Sequence, residues 1–307
     1  MFRTEHVRTH LQNDSLANNV RRLVRFGVRT LGKGGSPLGG YAVLPLDAPA
    51  AVLPTKQDFV YGEVLDRILA QQSLYAKLLE RLDQPFSDAA RTIQRIEQDV
   101  RKPFWNNTYF QGNDARIAWG LTALTRPGRI IEIGSGNSTK FFRHAIDHNR
   151  TGTRLVCIDP TPRAEVSGIA DEIHSKPVQE VSLDVFGALE PGDFLFFDGS
   201  HLVVQGSDTQ FVFLEILPKL PKGVLVYIHD VNLPYEYRPF YRSRLYGEQY
   251  MLGALLVFAE AWKPVLPVYW LEQTGRLEAV DNPGASFWIT NDMDFLIERI
   301  GASGEAA

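Results

Sequence analysis

Over residues 130–133, 155–158, 194–197 and 223–228 the chain turns almost wholly apolar, and each run passes into a turn or an ionisable residue. Short apolar runs without period-two alternation read as strands buried on both faces, the habit of a parallel sheet. Residues 139–147 and 211–220 have helical character. Residues 178–181 read as a short third strand and its loop. Residues 265–271 and 285–290 read as two last strands, joined through Gly275 and Pro283. Ahead of the sheet, Leu65, Ile68, Leu69, Gln72, Tyr75, Leu79 and Leu82 recur at helical spacing, and Ile93, Ile96 and Val100 continue the habit. An apolar stripe of that kind must be covered, either by the body of the domain or by a second subunit.

The first strand runs straight into Gly134-Ser-Gly136, and a helix is expected to start just beyond. Glycines let the backbone turn sharply and approach a ligand, and the helix aims its free N–H groups at whatever the turn holds. Strand, glycine turn and helix form the nucleotide-binding corner of a doubly wound α/β domain. A dinucleotide fingerprint wants a third glycine at position 139, where this chain has Thr139, and has no need of Glu132 inside the strand. The pattern Glu132-x-Gly134-x-Gly136 resembles the first motif of class I S-adenosylmethionine (SAM)-dependent methyltransferases. Asp159 ends the second strand, about 20 residues past the glycines, where a carboxylate holds a ribose diol; that signal suits NAD and SAM equally.

Farther along, the fourth strand delivers Asp198 and His201, and the fifth delivers His229 and Asp230. Ligands of open α/β sheets bind beyond the carboxyl ends of the strands, so these side chains should converge with Glu132 and Asp159. Such a set of ionisable groups on an apolar sheet makes poor structural filler. Asp198-Gly-Ser-His201, Gly206-Ser-Asp208, Glu215-Ile-Leu-Pro218, Gly223-Val-Leu-Val and Ile228-His-Asp230 resemble the methyltransferase domain family numbered 24, close to catechol-type and macrolide-sugar O-methyltransferases. The resemblance spans residues 104–290. It implies a Rossmann-like, seven-stranded methyltransferase sheet with a closing antiparallel hairpin, flanked by helices. It also implies SAM as cofactor, bound by Tyr109, Glu132, Gly134, Ser135, Gly136, Ser138, Asp159, Gln179 and Asp198, with Asp114 a further candidate beside a helix-cap role.

Methyl transfer needs an aligned acceptor stripped of its proton. Two devices suit Asp198, His201, His229 and Asp230 as catalytic residues. In one, Asp198, His229 and Asp230 hold a divalent metal ion that acidifies an acceptor hydroxyl. His229 stands where the resembled enzymes carry an acid, which points away from magnesium toward a softer metal. In the other, His201 or His229 is a general base tuned by Asp198 or Asp230. The expected activity is O-methylation of a small-molecule or saccharide acceptor. A non-catalytic methyltransferase-like scaffold and an NAD-dependent oxidoreductase are the alternatives; the closing hairpin and the lack of a second substrate domain after residue 292 count against the latter.

Composition changes the picture in a few places. A formal charge of −4 gives no basic field for nucleic acid. The single cysteine, Cys157, sits within an apolar strand and reads as a small buried hydrophobe; no disulfide can form within the chain, which fits a cytoplasmic location. No signal peptide is expected at residues 1–10, and no apolar run reaches the length of a membrane span. The chain is expected to divide into an N-terminal helical extension (1–103), a methyltransferase domain (104–292) and a tail (293–307). The extension holds a basic amphipathic stretch at 14–33, a Gly/Pro-rich linker at 32–51, and helices through which a homodimer is plausible. Residues 233–246 leave the sheet at the catalytic edge and carry Tyr235, Tyr237, Phe240, Tyr241 and Tyr246 with Arg238, Arg242 and Arg244, either as an acceptor wall or as packing against the N-terminal helices.

Overall fold

The computed structural model describes residues 59–279 and 282–302, all within one compact unit spanning Thr55–Ala307. The basic stretch at 14–33 and the linker at 32–51 lie outside the described residues. Seven strands form a single sheet: β1 (Arg129–Ile133), β2 (Arg154–Ile158), β3 (Glu172–His174), β4 (Phe194–Phe197), β5 (Leu225–Ile228), β6 (Lys263–Pro267) and β7 (Phe287–Thr290). Their order is β3-β2-β1-β4-β5-β7-β6. β1 to β5 pair in parallel and β7 enters antiparallel beside β5 and β6, so the seven-stranded sheet with its closing antiparallel pair is the one expected. β4 and β5 are buried at every position, which is why their apolar runs are continuous rather than alternating. Between them Phe196 stacks on Tyr227 at 4.1 Å, and Trp288 of β7 meets Tyr227 edge-on at 4.9 Å.

Helices cover both faces. α1 (Gly62–Leu69) and α2 (Gln72–Thr92) bury Val64, Ile68, Leu74, Tyr75, Leu78 and Leu82. Their stripe packs on α3 (Gly112–Thr125), on α7 (Glu248–Phe258) and on β6, so of its two possible covers the body of the domain takes it. α4 (Asn137–Asn149) follows β1, with α5 (Asp184–Gly187) and α6 (Asp208–Phe211) beyond; α8 (Val268–Gln273) follows β6 and α9 (Met293–Ala302) follows β7. No helix among the described residues is long and apolar enough to cross a membrane.

Four expectations change in detail. The third strand is Glu172–His174, not 178–181: an edge strand this short and polar gives no apolar run, while Val178–Glu180 is one 3-10 turn behind Pro177. The run at 265–271 is a strand only to Pro267; Val268 starts a helix, since a brief buried helix and a buried strand look alike in hydropathy. α2 ends at Thr92, and Ile96 and Val100 are 71% and 63% exposed, so they take no part in the stripe. The helix at 211–220 begins earlier, with Ser207 accepting the N–H of Gln210, and loosens to a π turn at Val212–Ile216 before tightening at Leu217–Lys219. Pro218 offers no N–H to the preceding turn and so disturbs the ladder there.

Candidate functional site

The glycine turn is shaped by one close approach. Gly134 has φ +84°, and a Cβ there would stand 1.8 Å from the carbonyl oxygen of Asp198. Only glycine lets the exit of β1 lie against the exit of β4, where the Asp198 N–H donates to Ile133 O at 2.9 Å. Beneath the turn, Thr139 Oγ1 accepts the Gly136 N–H at 3.0 Å and donates to the carboxyl of Glu132. Glu132 is fully buried, the Cys157 thiol is 3.4 Å away, and burial raises the Glu132 pKa to about 7. Glu132 therefore holds the turn from below and does not line the cleft above it. Asp159 locks the turn from the side: Oδ2 accepts the Ser135 N–H at 2.8 Å and Oδ1 the Thr161 N–H at 2.7 Å.

A cleft opens above, lined by residues 134–138 of the turn, Tyr109, Phe110, Arg163 and Asp198. The Ser135 hydroxyl is buried there, without a hydrogen-bond partner among the described residues. Of the nine candidate cofactor residues, Tyr109, Gly134, Ser135, Gly136, Ser138 and Asp198 line it. Gln179 does not; its amide donates to Gly206 O at 2.8 Å. Arg163, which the sequence pattern did not single out, does line it.

Asp198 also faces a second group of side chains. His201 Nε2 lies 3.3 Å from Asp198 Oδ1 and 3.5 Å from Asp230 Oδ2, and its Nδ1 is 3.0 Å from Glu248 Oε1. His229 Nδ1 lies 3.7 Å from Asp198 Oδ1 and 3.5 Å from Asp230 Oδ1, and its Nε2 is 3.7 Å from Asp114 Oδ2. The four expected catalytic side chains thus converge, and two more join them from helix N-termini. Asp114, at the start of α3, also takes the N–H groups of Ala285 and Ser286, each at 2.9 Å, and the Ser286 hydroxyl. Glu248 is the first residue of α7 and is wholly buried. His201 and Asp230 have φ +64° and +56°, a left-handed backbone costing on the order of 1 kcal/mol at non-glycine residues, as strained positions at functional clusters often do.

The charges follow from this packing. Burial alone would pull the His229 pKa down, but the carboxylates of Asp198, Asp230 and Asp114 outweigh it and raise the value to about 9. For His201 burial likewise opposes the charge, and Asp198 and Glu248 again win, placing it well above the ordinary histidine value. Conversely, burial would raise Asp198, yet the two imidazoles hold its carboxyl well below the usual range. At about 9, His229 is a cation near neutral pH, and Asp198 pushes His201 in the same direction.

The three donors of the metal site expected at Asp198, His229 and Asp230 stand together in this cluster. Among the described residues no group of three or more His, Cys, Asp or Glu side chains is spaced to hold a metal ion. The donor types are present, but the imidazoles fill the gap between the carboxylates as their ion-pair partners. As they stand, the carboxylates and imidazoles are one another's partners.

The 233–246 segment roofs the cluster. Tyr241 donates its hydroxyl to Asp230 Oδ1 at 2.7 Å and receives Arg238 at 3.0 Å, while the Tyr246 ring lies 4.1 Å over His201. Tyr237 and Tyr241 are buried. Glu236 accepts the hydroxyls of Tyr61 and Tyr250 at 2.7 and 2.6 Å, so this loop also packs on the segment before α1. A larger groove of about 350 Å³, lined by Leu79, Phe86, Arg116 and Arg276 among others, includes none of the cluster residues.

Residues 131–231 match the model of a family described as a methyltransferase domain. The match takes in Glu132, the glycine turn, Asp159, Asp198, His201, His229 and Asp230, and leaves out Asp114 and Glu248. Among solved structures, the SAH-bound methyltransferase PaMTH1 of Podospora anserina is 14% identical, with 69% of this chain and 95% of that one covered and a TM-score of 0.41. Cofactor-bound Rv0187 from MTB is 13% identical, with 74% of this chain and 95% of that one covered and a TM-score of 0.40. No curated protein matches the chain.

Proposed function

We propose that this chain, whose residues 131–231 match a methyltransferase-domain model, is a class I SAM-dependent methyltransferase that methylates a hydroxyl oxygen of a small-molecule or saccharide acceptor, with an imidazole rather than a metal as base. One observation carries the reading: Asp198 borders the cofactor cleft and touches both histidines. A ligand in the cleft and an acceptor beside the cluster would then meet at a single carboxylate.

The side chains suit SAM on chemical grounds. Gly134 and Gly136 line the cleft, α4 starts beside them at Asn137, and among the described residues the buried Ser135 hydroxyl has no hydrogen-bond partner. Asp159 stands ready for a ribose, and Glu132 with Thr139 keeps the turn rigid. When bound, SAM supplies a methyl group on a cationic sulfur.

His229 is the base in this reading. Among the described residues neither ring nitrogen has a partner at hydrogen-bond distance, the carboxylates standing 3.5 to 3.7 Å away, and the ring lies 6.2 Å from that of Phe110, which lines the cleft. As a neutral imidazole it accepts the acceptor's hydroxyl proton, and the imidazolium it becomes is stabilised by Asp198, Asp230 and Asp114. His201, gripped by Glu248, positions Asp198 and Asp230. Tyr241 and Tyr246 exclude water from above. The domain limits at 103 and 292, a cytoplasmic location and a homodimer belong to the same proposal.

Calorimetry with SAM and S-adenosylhomocysteine (SAH), followed by assay of SAH release over a panel of phenols and sugars, tests it. Micromolar binding and turnover lost in His229→Asn are expected. A nicotinamide-dependent absorbance change would favour the oxidoreductase instead, and binding without turnover on any acceptor would favour the scaffold.

A further inference from the structure

We propose that Arg163 recognises the carboxylate at the amino-acid end of the cofactor, with Asp198 across the cleft taking the positive charge of that same end. This rests on the SAM reading and deepens it.

Arg163 sits on the loop after β2, directly over the glycine turn. Its backbone N–H donates to Ser135 O at 3.3 Å, and its Cβ is 3.6 Å from where a Cβ on Gly136 would stand. The guanidinium stacks on the exposed Tyr109 ring at 5.6 Å, and its charge reaches Asp198. It makes no side-chain hydrogen bond or ion pair with any described residue. A planar cation with five donors unused, at the mouth of a cleft, is poised for a carboxylate or a phosphate.

Two further features share that mouth. The first turn of the thirteen-residue α4 faces it, and the buried Ser135 hydroxyl has no hydrogen-bond partner among the described residues. All three favour a negative group at this point, whereas Asp198 favours a positive one. SAM has no phosphate; its carboxylate shares a carbon with an ammonium group. A cleft with a guanidinium on one wall and a carboxylate on the other matches that pair of charges. The nucleoside end has a separate candidate in Asp159, whose two oxygens retain lone pairs beyond the backbone N–H groups they hold.

The discriminating ligands are SAH, which has the amino-acid end, and 5′-methylthioadenosine, which lacks it. Calorimetry on the full chain is expected to show Arg163→Met weakening SAH by about 10- to 100-fold while changing methylthioadenosine by less than about twofold. Arg163→Lys, which keeps the charge but loses the fork, should recover part of the loss. Unchanged SAH affinity in Arg163→Met overturns the proposal, and so does an equal loss for both ligands, which would put Arg163 on the nucleoside. Wild-type protein that binds neither ligand overturns the SAM reading itself, a different result from either. Arg163 is exposed, so an unchanged melting temperature is expected of both variants and serves as the folding control.

Discussion

Stability should fall as pH rises through neutrality, and His229 provides the sharpest way to see it. In the unfolded chain His229 titrates near 6.5; in the fold its pKa is about 9. The folded state therefore holds a proton that the unfolded state has released. The stabilisation is fully present below pH 6.5, shrinks as pH rises and is gone above about 9. A difference of about 2.5 units at roughly 1.36 kcal/mol each amounts to about 3 kcal/mol for this buried group. Glu132 acts with the same sign at lower pH. Its folded pKa of about 7 against 4.5 unfolded means the fold again holds the extra proton, and stability declines between those values. Most proteins are most stable between about pH 5 and 8, whereas here the summit should lie at the acid end of that range. The assay is a melting-temperature series in low salt for wild type and His229→Asn. At about 2–4 °C per kcal/mol for a unit of this size, the advantage of wild type over the variant should shrink by about 6–12 °C between pH 6.5 and 9. An advantage constant to within about 2 °C over that window would refute the assignment of charge to His229.

Three other outcomes follow from the same geometry. Gly134→Ala places a methyl against the Asp198 carbonyl and should abolish SAM binding, read by calorimetry, with a stability loss of about 3 kcal/mol or more by urea denaturation. Thr139→Val removes the acceptor for Gly136 N–H and the donor to Glu132, so unfolding should cost about 1–3 kcal/mol less and SAM affinity should drop; an unchanged urea midpoint contradicts that role. Methyl transfer, once an acceptor is in hand, should survive excess EDTA, and kcat/KM should climb about tenfold per pH unit toward pH 9 as His229 loses its proton; a requirement for added magnesium sinks the imidazole mechanism.

Much of the architecture can be read from hydropathy alone. Strands buried on both faces announce themselves as unbroken apolar runs, and the rule that ligands gather at carboxyl strand ends correctly brings Asp198, His201, His229 and Asp230 together. The same reasoning fails where the signal is short or indirect. β3 is an edge strand of three residues, two of them polar, and the apolar start of α8 imitates a strand. Glu132 has the right residue type at the right spacing, but only coordinates reveal that it points beneath the turn to Thr139. Asp114 and Glu248 reach the cluster from helix N-termini far away in sequence, with no motif to link them. Arg163 lies in an irregular loop where no periodicity marks a role. Donor types for a metal are legible in the sequence, but side-chain spacing across two strand ends is a matter of angstroms that sequence does not encode.

Asp114 bears on how the far edge of the molecule communicates with its chemistry. One carboxylate collects the backbone at the entrance of β7 and, on its other flank, faces the imidazole of His229. A displacement of the polypeptide at 285–286 would drag that anion with it and retune the proton affinity of a ring on the neighbouring strand. Substitutions around the final hairpin, made for reasons unrelated to turnover, should therefore surface first as altered acid–base behaviour.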